Sequence, residues 1–177
     1  LQESVAFGTL ANGGVYQKPI SFLGISDSNG HVVYDSHAQQ LRTQVFRPST
    51  AWLIVDMMKD VVSGGTATSA KISGQTVAGK TGTNTDSRGV TFCGLTGWYV
   101  SAIWIGHDNY KPLSSKATGG NAAAPLWQSY MSKIHKAKGL ENRNIIEADP
   151  SELGLVKVTT CAVSGQLATS SCRNDTM

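Results

Sequence analysis

Three strand-like runs separated by very short breaks constrain this chain more than any other feature. Thr76–Thr83, Val90–Leu95 and Trp98–Ile105 are rich in β-branched and aromatic residues. The breaks between them are too short for the crossover that a parallel pair needs, so the runs predict an antiparallel meander. Trp98 and Trp104 are expected to pack in the core or on a sheet face. Helical spacing appears on either side of this block. After Pro48-Ser49-Thr50, where a hydroxyl is available as a cap, Leu53, Ile54, Met57, Met58 and Val61 predict a core-facing helix stopped by Gly64-Gly65. Leu126, Trp127, Tyr130, Met131 and Ile134 predict another, capped by Asn121, with Pro125 in its first turn and Gly139 at its end. The predicted class is α/β of the α+β type: an antiparallel sheet covered by helices.

Residues 2–11 predict a short helix with Val5, Ala6, Leu10 and Ala11 on one face, ended by Asn12-Gly13-Gly14. Ile20–Ile25 and His31–Tyr34 flank Asp27-Ser28-Asn29-Gly30, which predicts a hairpin with Asn-Gly at its turn. Thr66–Gly74 reads as a small polar connector. Character changes after Leu140, where Pro150 and a Ser/Thr/Gly-rich stretch surround one predicted short strand, Leu155–Thr160. The expected division is residues 1–139 and a small appendage, 140–177.

The chain has 177 residues, 40% of them hydrophobic and 15% charged, which suits a folded domain with a core of its own. Net charge is only +3. The tightest basic group, Lys133, Lys136, Lys138 and Arg143, lies at the end of a predicted helix, where cations complement the dipole. No aromatics interleave with it, so no nucleic-acid partner is expected. No apolar run is long enough to span a membrane. Leu1-Gln2-Glu3-Ser4 is neither a signal peptide nor a Met start, so the chain is expected to be a fragment or a processed piece.

Cys93 sits in a strand run and is expected to be a small buried hydrophobe. Cys161 and Cys172 flank a polar loop near the C-terminus. Their spacing suits either a local disulfide that staples the tail or two free thiols. No Cys/His spacing suggests a metal site, and no cofactor is expected. His31, His37, His107 and His135 are scattered and pair with no obvious nucleophile. Asp86 and Arg88 stand in the loop after the first strand run and are candidates to border a cleft.

Lys80-Thr81-Gly82-Thr83 carries the chemistry. Strand alternation puts the Thr81 and Thr83 hydroxyls on one face, a donor pair suited to a carboxylate, with Lys80 and Gly82 on the other. The ammonium attracts an anion and can orient a proton-relay hydroxyl. Gly82 leaves room for close approach to the strand. A Thr83 N–H pointing outward from an unpaired edge could stabilise an oxyanion. Taken alone, the tetrapeptide reads as a strand end entering a turn. Its surroundings add more. Ala78-Gly79-Lys80-Thr81-Gly82-Thr83 resembles the third motif of the penicillin-recognising serine enzymes, which accompanies Ser-x-x-Lys and Ser-x-Asn. The flanks resemble the class A, bifunctional penicillin-binding proteins: Ala6-Phe7-Gly8-Thr9-Leu10-Ala11-Asn12-Gly13-Gly14-Val15-Tyr16, Met57-Met58-Lys59-Asp60-Val61-Val62 with Gly64-Gly65-Thr66-Ala67, Phe92-Cys93-Gly94-Leu95-Thr96, Ala102-Ile103-Trp104-Ile105-Gly106-His107-Asp108 and Gly119-Gly120-Asn121-Ala122-Ala123-Ala124-Pro125-Leu126-Trp127. The likeness covers roughly residues 1–138 and, more weakly, Cys161-Ala162-Val163-Ser164-Gly165.

The resemblance implies the C-terminal part of a penicillin-binding transpeptidase domain with a β-lactamase-like fold. It also implies a D,D-transpeptidase that crosslinks peptidoglycan at the extracytoplasmic face of a bacterial membrane, with stem peptides and β-lactams as ligands. On that likeness Lys80 would bond the second motif's hydroxyl and help bind the substrate carboxylate. Thr81 and Thr83 would bind that carboxylate, and the Thr83 N–H would be half of the oxyanion hole. The chain departs from the pattern by having no Ser-x-x-Lys and no Ser-x-Asn; Thr68-Ser69-Ala70-Lys71 places a threonine where the nucleophile should be. The serine and its base are therefore expected on a companion N-terminal segment, with this chain inactive by itself. A non-catalytic β-lactam or peptidoglycan-binding module and a D,D-carboxypeptidase are the competing readings.

Overall fold

Element order in the computed structural model is α1 (Gln2–Ala11), β1 (Val15–Gln17), β2 (Gly24–Ser26), β3 (Val32–Asp35), β4 (Arg42–Gln44), α2 (Pro48–Ser63), β5 (Ala78–Thr83), β6 (Gly89–Leu95), β7 (Val100–Gly106) and α3 (Ala124–Lys138). Residues 1–161, 163–170 and 172 are described. The expected meander is present as a three-stranded antiparallel sheet in the order β5-β6-β7. Its register sets Ala78 against Leu95, Thr83 against Val90, and Leu95 against Val100. Two small antiparallel pairs precede it, β2 with β3 and β1 with β4. The second pair joins residues far apart in sequence.

Period-two alternation gives the sheet two apolar faces. On one, Val90 and Phe92 pack with Val62, Ala67, Val77, Ala123, Trp127 and Met131. On the other, Ala78 and Leu95 pack with Val55, Met58 and Ile145, edged by Phe7, Leu10 and Ala11 of α1. Trp127 is the largest fully buried side chain. It meets Phe92 edge-on at 5.3 Å between ring centroids. Gly94 provides its slot, since a methyl group there would lie 2.4 Å from the indole.

Helix α2 turns a different side to the core than its sequence spacing suggested. Ala51, Val55, Met58 and Val62 are buried, whereas Leu53 is 45% and Met57 61% exposed. The apolar arc of the helix is wide, opposite Asp56, Lys59 and Asp60, and Leu53 and Met57 lie at its border. The slimmer Ala51/Val55/Val62 side is the one that packs against β5. Its cap position is Arg47 with Pro48 at the first turn, and no side-chain hydroxyl caps it. In α3, Leu126 is exposed and His135 replaces it on the buried side. A π-helical turn, Gly119–Ala123, precedes α3; Thr118 caps it reciprocally with Asn121. Gly139 ends α3 in the left-handed region at φ 60°. Trp98 is half-exposed at the sheet's end, its Nε1 donating to the Glu141 carbonyl at 2.8 Å. Trp104 is largely exposed and lies across Gly89 and Gly106 on the sheet surface.

The chain divides into Leu1–Glu147 and Ala148–Met177, so the first unit extends past the expected boundary at 139. The reason is local bonding of the added residues. Gln75 donates to the Leu140 carbonyl at 2.8 Å, the Thr76 N–H donates to Asn142 at 2.7 Å, and Ile145 is buried with Val55 and Leu95. The second unit holds a short turn, Pro150–Leu153, capped reciprocally by Asp149 and Glu152. The strand expected over Leu155–Thr160 is absent; only an isolated bridge joins Thr160 to Leu167. Val156 and Val158 are exposed there, with no neighbouring strand among the described residues to complete a ladder. No helix of the described residues is long and apolar enough to cross a membrane.

His135 is 4% exposed and meets Thr96 Oγ1 at 3.1 Å. That oxygen already accepts the Trp98 and Tyr99 N–H groups, so its proton goes to Nε2 and the ring is neutral with its hydrogen on Nδ1. Burial holds the imidazole below its ordinary pKa. The unfolded chain therefore takes up this proton at a higher pH than the folded chain does. Stability is full above the unfolded pKa, about 6.5, and falls as pH drops from there toward the folded value. Melting temperatures measured from about pH 7.5 to about pH 5 should decline toward acid, less steeply in His135→Gln. Equal slopes in the two proteins would contradict this assignment.

Candidate active site

The predicted residues Lys80, Thr81, Gly82 and Thr83 all lie on β5, which is an edge strand of its sheet. Gly79 is required by close packing upstream of them: a methyl group there would lie 2.5 Å from the Phe92 ring. The Asn84 N–H donates to the Gly89 carbonyl at 3.1 Å, which marks 84/89 as a hydrogen-bonded pair. Antiparallel pairing alternates, so Gly82/Thr91 and Lys80/Cys93 are bonded pairs as well. Thr81 and Thr83 then direct their N–H and C=O groups away from β6, to the free edge. The Lys80 ammonium folds along that edge and donates to the Thr81 carbonyl at 2.9 Å.

The side chains divide as alternation requires. On one face, Thr81 Oγ1 lies 2.8 Å from Thr66 Oγ1, and Thr83 Oγ1 accepts the Gly119 N–H at 3.1 Å. Gly119 sits so close to the sheet that a methyl group on it would lie 2.4 Å from the Thr91 carbonyl oxygen and 2.8 Å from that of Gly82. On the other face, Lys80 and Gly82 share a shallow groove of about 180 Å³ with Glu3, Phe7, Thr91 and Cys93. The roomier concavities, of about 380 and 410 Å³, are both lined by Ile72, Ser73 and Gln75 and include none of the four site residues. Lys80 and Thr83 are exposed, while Thr81 and Gly82 are half-buried, so the ammonium and hydroxyls are reachable from solvent.

The loop leaving β5 is held tightly. Asp86 and Ser87 take φ of 59° and 50°, and Tyr110 across from them takes 55°. Such left-handed backbone outside glycine persists where surroundings enforce it. Here Asn84 donates to the Tyr110 hydroxyl at 2.8 Å, and Arg88 donates to the Tyr110 carbonyl at 2.9 Å. The Arg88 guanidinium stacks 5.6 Å from the Tyr110 ring centroid and pairs loosely with Asp86 at 3.4 Å. Asp86 and Arg88, considered for the cleft border, thus act together as a clasp on the turn.

Cys93 is buried beneath the strand as expected. Burial, with the Glu3 carboxylate adding to it, pushes its thiol up to about 12, so it carries no thiolate at neutral pH and is no nucleophile. Cys161 and Cys172 are both free thiols in the structure. Hydrogen bonds from Ser164 and the Val163 backbone, with a smaller contribution from Cys172, bring the Cys161 thiol down to about 7. Among the described residues no three His, Cys, Asp or Glu side chains gather as a metal site would require. Sequence reasoning missed Thr66 and Gly119 as neighbours of the motif. The only signal was glycine clustering at Gly64-Gly65 and Gly119-Gly120.

An ammonium, two hydroxyls on one face and two outward amides along a free strand edge form an anion- and carbonyl-binding arrangement. The family model of the penicillin binding protein transpeptidase domain matches residues 1–110. Penicillin-binding protein 1A from Clostridium perfringens is 36% identical over 170 residues, covering 96% of this chain and 19% of that protein. The chain thus spans about a fifth of that relative's length. Penicillin-binding protein 1A from Haemophilus influenzae superposes with a TM-score of 0.77 at 19% identity, over 98% of this chain and 31% of that one. Penicillin-binding protein A from Mycobacterium tuberculosis, solved as a ceftriaxone acyl-enzyme, gives 0.57 at 21% identity over 72% of this chain and 29% of that one. The chain belongs to the penicillin-binding protein transpeptidase family.

Proposed function

We propose that this chain supplies the third motif of a serine-type D,D-transpeptidase that crosslinks peptidoglycan. The observation that carries the reading is the free edge of β5, where Lys80, the Thr81 and Thr83 hydroxyls and the Thr83 N–H lie within four consecutive residues. Neither Ser-x-x-Lys nor Ser-x-Asn occurs in the sequence, so the reading assigns the nucleophile to a companion N-terminal segment seated along that edge. The ligands are stem peptides ending in D-Ala-D-Ala and β-lactams that mimic them. The ceftriaxone acyl-enzyme of penicillin-binding protein A from Mycobacterium tuberculosis supports the second class by likeness. The site of action is the extracytoplasmic face of the bacterial membrane.

On this reading each group has a role that its charge and position support. The serine oxygen attacks the penultimate D-Ala carbonyl carbon, and the carbonyl oxygen becomes an oxyanion. The Thr83 N–H donates to that oxyanion, where a preorganised amide dipole acts most strongly. The terminal D-Ala leaves as an amine, carrying the proton taken from the serine. The Thr81 and Thr83 hydroxyls donate to its carboxylate, and the Lys80 ammonium adds attraction for the same anion. An amine of a second stem then attacks the acyl carbon, the bond to the serine oxygen breaks and that oxygen takes up the amine's proton, completing the crosslink.

Two outcomes are expected with a fluorescent penicillin. This chain alone takes no covalent label; with the companion segment present, the label is on that segment. Label on residues 1–177 would overturn the division of the site. In the assembled enzyme, Lys80→Ala removes a charge-assisted contact and should slow acylation by about 1.5–3 kcal/mol, roughly 10- to 150-fold. An unchanged labelling rate would remove Lys80 from the mechanism.

A further inference from the structure

The hydroxyl of Thr81 has a neighbour that the proposed mechanism leaves unused. Thr66 Oγ1 lies 2.8 Å from Thr81 Oγ1, although Thr66 belongs to the segment between α2 and β5. That segment is anchored: the Gly65 N–H donates to the Asp60 carbonyl at 3.0 Å and the Ala67 N–H to that of Val61 at 2.9 Å. Thr83 has a corresponding contact from the Gly119 N–H. The two supporting segments are bonded to each other. Ser69 Oγ donates to the Gly120 carbonyl at 2.6 Å, and Gly120 lies so close that a methyl group on it would be 2.2 Å from the Thr66 carbonyl oxygen. Thr118 and Asn121 lock the turn by exchanging hydrogen bonds of 2.9 and 3.2 Å.

A threonine hydroxyl has one proton and rotates freely unless something orients it. At Thr83 the Gly119 N–H occupies the oxygen as acceptor, so the hydroxyl proton stays available for a ligand. At Thr81, among the described residues, Thr66 alone sets the orientation. When Thr66 donates to Thr81, the Thr81 proton is available at the free edge; the reverse arrangement consumes it. An anion at the edge favours the first, because each hydroxyl in such a chain polarises the next. Thr66 is itself exposed. Water would satisfy its hydroxyl in the absence of Thr81, so folding does not require the pairing.

We propose that Thr66 is a positioning residue for substrate carboxylate: it donates to Thr81 Oγ1 and thereby holds the Thr81 proton toward the free edge of β5. The proposal rests on the transpeptidase reading and adds a residue to its carboxylate subsite. It requires that losing the Thr66 hydroxyl weaken binding of an anionic acyl donor and leave an uncharged one alone.

The test is acylation of the enzyme assembled from this chain and its serine-bearing segment, using benzylpenicillin and its methyl ester. Thr66→Val and Thr66→Ala should each reduce the acylation efficiency with benzylpenicillin about 10-fold, and Thr66→Ser should restore it to within about two-fold. The loss should fall in the apparent dissociation constant rather than the limiting rate. The ester should react equally with all four proteins, and their melting temperatures should agree. Equal losses for acid and ester, or no loss for either, would overturn the role of Thr66. Thr81→Val and Lys80→Ala distinguish the levels. If they impair benzylpenicillin acylation while the Thr66 variants do not, only the Thr66 role falls. If they are silent too, the reading of β5 falls with it.

Discussion

The antiparallel ladder between β5 and β6 is the constraint on which the rest of the structure depends. One side of β5 is consumed by pairing from Ala78 to Thr83; the other side is left with outward amides and carbonyls. Register decides which ones. The pairing that buries Ala78 and Leu95 on one face and Val90 and Phe92 on the other also directs the Thr81 and Thr83 amides to the free edge. A slip of one residue would set each apolar row against the wrong packing layer and turn the motif's hydroxyls to the opposite face. Packing at Phe92, Gly94 and Trp127 therefore does double duty. It stabilises the unit, and it sets the orientation of groups on a strand to which none of these residues belongs.

Close approach is the second theme. Gly119 and Gly120 bring one turn onto the sheet and onto the Thr66 segment at distances that no side chain permits. The contacts thereby made end on Thr83 and, through the Thr66 segment, on Thr81. The loop beyond β5 shows the complementary device. Left-handed backbone at Asp86, Ser87 and Tyr110 is held by Asn84 and Arg88, giving a rigid end to the motif strand. Rigidity on both flanks suits a site whose donors must be in place before charge develops.

Local signals made much of this legible. β-Branched runs with short breaks were enough for β5, β6 and β7, and Lys80 to Thr83 stood out by the conjunction of ammonium, hydroxyls and glycine. The flanking strings placed the chain in its family. What was not legible was non-local or ambiguous in period. The apolar arc of helix α2 is wider than the side that packs, so Leu53 and Met57 at its border read as core and are exposed. Thr66 and Thr81 meet across the α2–β5 connector, and Gly119 reaches Thr83 from beyond β7; no spacing rule anticipates either contact. His135 looked like one of several scattered histidines because its partner Thr96 lies in the β6–β7 turn. The first unit's extension to Glu147 was hidden for the same reason, since Asn142 and Ile145 bond and pack onto elements far upstream.

The central claim is that the outward Thr83 N–H meets the oxyanion of the acyl-transfer transition state. Replacing the peptide bond before Thr83 by an ester, through semisynthesis of this chain, removes that one hydrogen and preserves every side chain. Assembled with the serine-bearing segment that the proposal calls for, the ester variant should acylate with benzylpenicillin about 100- to 1,000-fold more slowly than the all-amide protein. Equal acylation rates would contradict the account.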